Sequence, residues 1–180
     1  MTKRPALINL INVFLSLIIV VLILAIICLL WIISPMMVSG NSMQNTLQDS
    51  DIIWVQKTGY NLQKGDVIVF KRPGADKPPV KRIIATQGDT VQFDMVGGYK
   101  VNGEYIDEDY LSFDNDLLYD EYYFTGTHQD ATVSALLMTT GVIVGENQLF
   151  VLGDNRGVSL DSHSYGCIEI DWIIGKVVNK

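Results

Sequence analysis

The feature that most constrains this chain is an apolar run near its N-terminus. Residues 7–33 read LINLINVFLSLIIVVLILAIICLLWII, and no Asp, Glu, Lys or Arg lies between Arg4 and Asp49. A bilayer core is crossed by about 20 apolar residues, and this run is longer. The sequence therefore predicts a transmembrane helix over residues 7–33, preceded by a short N-terminus of residues 1–6.

Two other interpretations of the run compete with a membrane anchor. Lys3 and Arg4, together with Val38-Ser39-Gly40, are similar to the basic start and the cleavage site of a secretory signal. Such signals carry only about 7–15 apolar residues, and the run over residues 7–33 is considerably longer. A buried helix in a soluble protein is disfavoured because the run has no polar stripe for solvent to wet. We therefore expect the segment to be retained as an anchor.

The charges on either side of the run predict its orientation. Lys3 and Arg4 precede it, whereas the first charged residues after it are Asp49 and Asp51. By the positive-inside rule the N-terminus lies in the cytoplasm, and residues 34–180 lie on the outer side of the cell membrane. All 20 acidic residues of this chain, whose net charge is −7, fall in that outer part. A phosphate-binding surface is therefore not expected, and nucleic acid is not an expected partner.

The cysteines and histidines indicate neither a disulfide framework nor a metal site. Cys28 lies inside the apolar run and Cys167 in the outer part, so a bridge between them is geometrically implausible. His128 and His163 are not joined by any short spacing typical of zinc sites. We expect no metal and no cofactor, so the chemistry must use other groups.

After the apolar run the chain has the texture of an antiparallel β-protein. Short runs are rich in β-branched and aromatic residues and are bounded by Gly, Asp, Asn or Pro. Turn dipeptides such as Asn102-Gly103 favour hairpins, because Asn and Gly tolerate positive φ. We therefore expect a mainly β, extracytoplasmic domain over residues 34–180, with a surface excursion at about 104–141. The predicted strands are Ile52–Val55, Asp66–Phe70, Lys81–Ala85, Thr90–Phe93, Tyr99–Val101, Val142–Val144, Gln148–Leu152 and Ile173–Val178.

Three polar segments of this domain are candidates for chemistry. Residues 38–47 (VSGNSMQNTL) lie just beyond the predicted membrane exit, and residues 153–162 read GDNRGVSLDS; each alone reads as a polar loop. In VKRII, Lys81 and Arg82 point to opposite faces of a strand, so one of them is expected to point inward. Burial can depress the pKa of a lysine by up to about 3–5 units, which would make it a base near neutral pH. The alternative is an exposed pair that protects an edge strand.

Taken together and in order, these segments resemble the type I signal peptidases, and in particular their Gram-positive branch. The resemblance spans nearly the whole chain: the basic start, one anchor, then SGNSMQNTL, KGDVIVF, VKRIIATQGD and GDNRGVSLDS. It implies a signal-peptidase-type antiparallel β domain tethered by one helix. It also implies a cofactor-free serine endopeptidase whose partners are the signal peptides of exported preproteins and the lipid bilayer.

The resemblance also implies a role for each matching residue. Ser42 would be the nucleophile and Lys81 the general base that takes its proton, forming an acyl-enzyme. Ser159 matches the serine that orients the lysine, and the backbone N–H of Ser42 matches one oxyanion donor. Asp161 and Arg82 match charged residues that brace the loop against the lysine strand, and Asp154 and Arg156 belong to the same scaffold. Cleavage would follow small residues in an Ala-x-Ala pattern. The positions matching the substrate pockets are Val38, Met43, Leu47 and Val80, for which core packing is an equally economical account.

Two positions depart from the family pattern. Asn45 stands where the family usually has proline, and this removes a rigid φ just after the nucleophile. His163 stands where the family usually has arginine, and its charge depends on pH. These departures keep open an accessory protein of narrow specificity that positions surface proteins such as pilins, with weak or absent cleavage. A Ser/His/Asp triad through His163 fits less well than Lys81. A self-cleaving repressor-type domain would need a DNA-binding segment instead of the anchor.

Overall fold

A computed structural model describes residues 4–94, 98–111 and 131–179. The N-terminal apolar run forms one helix, α1, over Arg4–Ile32. Its apolar side chains from residue 8 onward are exposed, and the stretch Ile8–Ile32 is long and apolar enough to cross a membrane. The helix ends within one residue of the predicted boundary.

The predicted antiparallel β-fold is confirmed. The larger sheet has the order β1-β2-β11-β3-β4-β9-β10, and the smaller sheet has the order β7-β6-β5-β8, where every pairing is antiparallel. The strands in chain order are β1 Ile33–Met37, β2 Ile52–Gln56, β3 Val67–Phe70, β4 Val80–Thr86, β5 Thr90–Asp94, β6 Gly98–Val101, β7 Glu104–Tyr105, β8 Val142–Ile143, β9 Gln148–Leu152, β10 Ile168–Glu169 and β11 Ile173–Asn179.

Each predicted strand is present, and its ends agree with the prediction to within one residue. The additional strands are β1, β7 and β10. β1 continues the apolar run of α1 without a break, and Pro35 is tolerated there because β1 is an edge strand. β7 and β10 are two-residue strands, too short to carry an alternating pattern.

Helix α2, Ala131–Met138, packs against β5 and contributes the fully buried Leu137 to a core beneath the smaller sheet. Half of the predicted excursion at about 104–141, residues 112–130, lies outside the described residues. Its described ends contact the core, and the excursion stays a prediction. Two further short helices follow β9: α3, Ser162–Tyr165, and a 3-10 helix, Ile170–Trp172.

Strand β4 lies in the interior of the larger sheet. It pairs with β3 on one side, where Ile68 faces Lys81, and with β9 on the other, where Arg82 faces Leu152. The edge-strand interpretation of Lys81 and Arg82 is therefore wrong.

Candidate active site

Lys81 is a buried lysine on the central strand β4. Alternation along the strand buries Lys81 and Ile83 on one face, and Lys81 is 3% exposed. This burial lowers the pKa of Lys81 from 10.5 to about 8. The carboxylates of Asp161 and Asp154 oppose the shift, whereas the guanidinium of Arg72 adds to it. The side chain therefore titrates close to neutral pH.

Ser42 lies in a tight turn between β1 and β2. The turn is closed by hydrogen bonds from Gln44 N to Asn41 O (3.0 Å) and from Leu47 N to Met43 O (2.8 Å). The side chains of Met43 and Leu47 are buried, which anchors the turn to the core, whereas Ser42 is half-buried. The sequence thus presents a serine at the surface of a fixed loop.

Ser42 and Lys81 line one cavity of about 400 Å³. The cavity also receives the exposed apolar side chains of Val158 and Leu160. Its full lining is Ser39, Gly40, Asn41, Ser42, Gln44, Lys81, Asn155, Val158 and Leu160. The two residues expected to act as nucleophile and base therefore face the same space.

The loop after β9 holds the Ser42 backbone through Gly153 and Asn155. Asn155 N donates to the Ser42 carbonyl at 2.9 Å. A Cβ at Gly153 would lie 2.4 Å from that carbonyl oxygen and 2.1 Å from Ser159 Oγ, so only glycine fits between them. Ser159 Oγ is buried and makes no hydrogen bond within the described residues. Its predicted bond to Lys81 stays a prediction.

Arg82 and Asp154 form a buried ion pair beside the lysine. Arg82 Nη2 and Nε donate to the two Asp154 oxygens at 2.5 and 2.9 Å, and the two side chains are 12% and 1% exposed. Thr46 Oγ1 donates to Asp154 Oδ2 at 2.5 Å, which joins the turn of the nucleophile to this pair. The partner of Arg82 is thus Asp154.

Asp161 is fully buried and braces the loop internally. Its Oδ2 accepts from Gly153 N at 2.9 Å, and its Oδ1 accepts from His163 N at 3.2 Å at the start of α3. The expectation paired Asp161 and Arg82 as the two groups that brace this loop against the lysine strand. In the structure Asp154 makes that connection across the strand, and Asp161 shapes the turn that follows it.

His163 packs among aromatic side chains of β5 and β6. Its Nδ1 is 2.7 Å from Tyr99 Oη, and its ring contacts the rings of Tyr99 and Phe93. It does not line the cavity beside Ser42. A triad through His163 therefore finds no support. No group of three or more His, Cys, Asp or Glu side chains that could hold a metal ion occurs within the described ranges.

The buried Arg156 has a partner that the sequence reasoning missed. Its Nη atoms donate to the carboxylate of Glu108, and its Nε donates to Gly153 O at 3.0 Å. Tyr110, two residues after Glu108, places its ring 4.0 Å from the guanidinium carbon of Arg82. No spacing in the sequence marks these pairs. The only available signal is that a buried arginine requires a carboxylate.

Four positions were expected to form the substrate pockets. In the structure these side chains pack in one apolar core cluster with β2, β3 and β11, and none of them lines the cavity of Ser42 and Lys81. Their burial is accounted for by core packing, and their assignment to substrate pockets stays a prediction. They are Val38, Met43, Leu47 and Val80.

The sequence matches known proteins over most of its length. Residues 10–179 match the family model described as signal peptidase, peptidase S26. Signal peptidase IB of Staphylococcus aureus (strain COL) is 38% identical over 150 residues, which cover 82% of this chain and 76% of that protein. Signal peptidase I of Bacillus caldolyticus is 36% identical over 151 residues, which cover 82% and 79%.

A solved structure shows the same fold. The crystal structure of a signal peptidase I from Enterococcus faecalis V583 matches with a TM-score of 0.50 and 27% sequence identity, over 66% of this chain and 98% of that chain. The family match spans nearly the whole sequence, and each of these two relatives is identical to it at more than a third of the aligned residues. This chain therefore belongs to the signal peptidase family, peptidase S26, whose members are serine endopeptidases that remove signal peptides.

Proposed function

We propose that this chain is a membrane-anchored signal peptidase that cleaves exported preproteins through a Ser42–Lys81 dyad, after small residues in an Ala-x-Ala pattern. The observation that carries the proposal is the cavity shared by Ser42 and the buried, low-pKa Lys81. A hydroxyl is a weak nucleophile at neutral pH and needs a base, and a desolvated lysine is a base that can serve there.

The reaction proceeds in two halves. The neutral amine of Lys81 takes the proton of Ser42 as Oγ attacks the scissile carbonyl, and the resulting ammonium then gives that proton to the departing amine. An ester between Ser42 and the signal peptide remains. A water molecule then attacks the ester while Lys81, neutral again, takes its proton. Lys81 returns that proton to Ser42 Oγ when the acid product leaves.

The surrounding side chains support this chemistry by position and by charge. Burial excludes most water from Lys81 and lowers its pKa to about 8, so that a useful fraction of the amine is neutral near neutral pH. Asp154 holds Arg82, the residue next to Lys81 on β4, and the backbone N–H of Asn155 donates to the Ser42 carbonyl. The backbone N–H of Ser42 is the proposed first oxyanion donor.

The anchor places the site at the outer membrane–water boundary. Lys3 and Arg4 precede α1, and acidic residues follow it. We infer a single-pass protein with a cytoplasmic N-terminus and an extracytoplasmic catalytic domain. Signal peptides are apolar segments that also reside in the bilayer, so enzyme and substrate meet in the same layer.

The proposal is tested with the full chain in detergent or lipid vesicles and a preprotein with an Ala-x-Ala site. We expect cleavage after the small residue, identified by N-terminal sequencing of the product. Ser42→Ala and Lys81→Ala should each abolish it while leaving the fold intact. Matched controls are Ser16→Ala on the exposed face of α1 and Lys57→Ala at the surface, which should cleave normally. Equal cleavage by all five proteins would refute the dyad, and no cleavage by the wild type would favour the accessory interpretation.

A further inference from the structure

Residues 106–111, here called the clamp segment, contact the loop after β9 and the strand β4 that carries Lys81. Glu108 reaches the loop after β9, and Tyr110 reaches the strand of the base. We propose that Glu108 and Tyr110 are positioning residues that fix Ser42 relative to Lys81. The kinetic part of this inference rests on the proposed function, whereas its structural part does not.

The first arm runs from Glu108 to the Ser42 backbone. Glu108 accepts from both Nη atoms of Arg156, which is 2% exposed. Arg156 Nε in turn holds the carbonyl of Gly153 at 3.0 Å. Gly153 packs directly against the Ser42 carbonyl, and Asn155, two residues further, donates to the same oxygen. A change at Glu108 is therefore transmitted to Ser42 through three successive contacts, by way of Arg156 and Gly153.

The second arm runs from Tyr110 to the base. The Tyr110 ring covers the guanidinium of Arg82 at 4.0 Å. Arg82 is bound to Asp154 and, through Nη1, to Gly65 O at 2.8 Å. An aromatic face over a partly desolvated guanidinium is stabilising and orients its plane. Since Arg82 is the neighbour of Lys81 on β4, its orientation fixes the strand that carries the base.

The two arms are joined within the clamp segment itself. Tyr110 Oη donates to Glu108 Oε1 at 3.0 Å, and Arg156 Nη2 lies 3.5 Å from Tyr110 Oη. The two arginines are therefore held by one connected group. The segment is also held to the rest of the protein by the hydrogen bond from Ile106 N to Tyr99 O at 3.2 Å and by the packing of Ile106 against the core.

The structural part is tested by hydrogen exchange at the amide of Asn155, whose proton is bound to the Ser42 carbonyl. We expect Glu108→Gln to accelerate its exchange by about tenfold relative to wild type, because local opening of the loop becomes easier. The matched control is Glu104→Gln, the same chemical change at an exposed position of the same excursion, which should leave the exchange unchanged. This measurement needs no catalysis, so it tests whether Glu108 holds the loop after β9 even if the wild type does not cleave.

The kinetic part is tested by separating kcat from KM on the preprotein. Tyr110→Leu should lower kcat by about tenfold to a hundredfold with little change in KM, because small misplacements of reacting groups are that costly. Tyr110→Phe keeps the ring over Arg82 and should retain most of the activity. Tyr105→Leu removes an exposed tyrosine that stacks on Lys100 instead, and should behave as wild type.

Two outcomes would overturn the inference. One is an Asn155 exchange rate that a folded Glu108→Gln variant leaves unchanged. The other is a loss of turnover by Tyr110→Leu that follows KM alone, or that equals the loss of folded protein in a thermal melt. If Glu108→Gln does not fold, Glu108→Asp, which keeps the charge but shortens the side chain, carries the exchange measurement, and Tyr110→Leu carries the kinetic one.

Discussion

Acidification is the perturbation that most directly tests the chemistry, because it charges the proposed base. Burial lowers the pKa of Lys81 from 10.5 to about 8, and only the neutral amine can accept the proton of Ser42. With that pKa, about half of the lysine is neutral at pH 8, about a tenth at pH 7 and about a hundredth at pH 6. A lysine at its ordinary pKa would be neutral at only about one part in 300 at pH 8.

The assay is kcat/KM for preprotein cleavage by the full chain in detergent, between about pH 6 and pH 10. We expect the rate constant to rise about tenfold per pH unit up to about pH 8 and to level off above it. Arg72 adds to the lowering that burial produces, so Arg72→Gln should shift the midpoint towards higher pH. Lys57→Ala, at an exposed position, should leave the midpoint unchanged.

A flat profile down to about pH 6, or a midpoint near the ordinary lysine value of about 10.4, would refute this assignment of the base. Unfolding at low pH would imitate the acid limb. The activity must therefore return fully when samples held at low pH are brought back to pH 8, and circular dichroism must stay constant over the range. A limb that follows irreversible loss of fold would not report on Lys81.

Three further predictions concern stability and local geometry. Lys81 binds its proton more weakly in the folded state than in the unfolded state, so its charge lowers the free energy of unfolding below pH 8 by about 3 kcal/mol. This penalty fades as the pH rises from 8 to 10.5. Lys81→Met should therefore raise the free energy of urea unfolding at pH 7 by up to that amount, and the gain should shrink above pH 8. Asn45 has φ +99 whereas proline holds φ near −65, so Asn45→Pro should lower stability by about 3 kcal/mol in thermal unfolding and Asn45→Gly should be close to neutral. Gly153→Ala places a Cβ 2.4 Å from the Ser42 carbonyl, so turnover should fall by about a hundredfold in a single-turnover assay; unchanged turnover would show that the loop does not position Ser42.

Local sequence patterns located most of the strands because each is a short run rich in β-branched or aromatic residues between turn residues. They did not locate β1. Ile33–Met37 continues the apolar run of the helix and contains Ser34 and Pro35, which look like a helix exit. Its strand character comes from pairing with β2, a contact between segments distant in sequence. Tertiary pairing of this kind leaves no local signature.

The proposed catalytic lysine was predictable in part, because a lysine inside an apolar strand must be either exposed at an edge or buried with a perturbed pKa. The sequence could not decide between these, and the pairing of β4 on both sides did. It also could not choose the carboxylate of Arg82, since Asp154 and Asp161 both lie in one short loop. That choice depends on which side of the turn faces β4.

The departure at Asn45 shows how a local change can be absorbed by the backbone. The positive φ of Asn45 lies in a region that asparagine tolerates and proline cannot enter. The turn after the nucleophile therefore takes a shape of its own, and it is still closed by hydrogen bonds and by the burial of Met43 and Leu47. A missing family residue at this position does not by itself argue for a lost activity.

The direct passage from α1 into β1 sets the reach of the enzyme. The helix ends at Ile32 and the strand begins at Ile33, while Lys57 N donates to Ile32 O at 2.8 Å and ties the junction to the end of β2. No flexible linker therefore separates the helix α1 from the strand β1. For a helix held in a bilayer, such a rigid joint keeps the catalytic cleft at one height above the lipid. The distance between the membrane surface and the cleaved bond would then be fixed. Inserting a few flexible residues at this joint would let cleavage occur at several distances from the membrane.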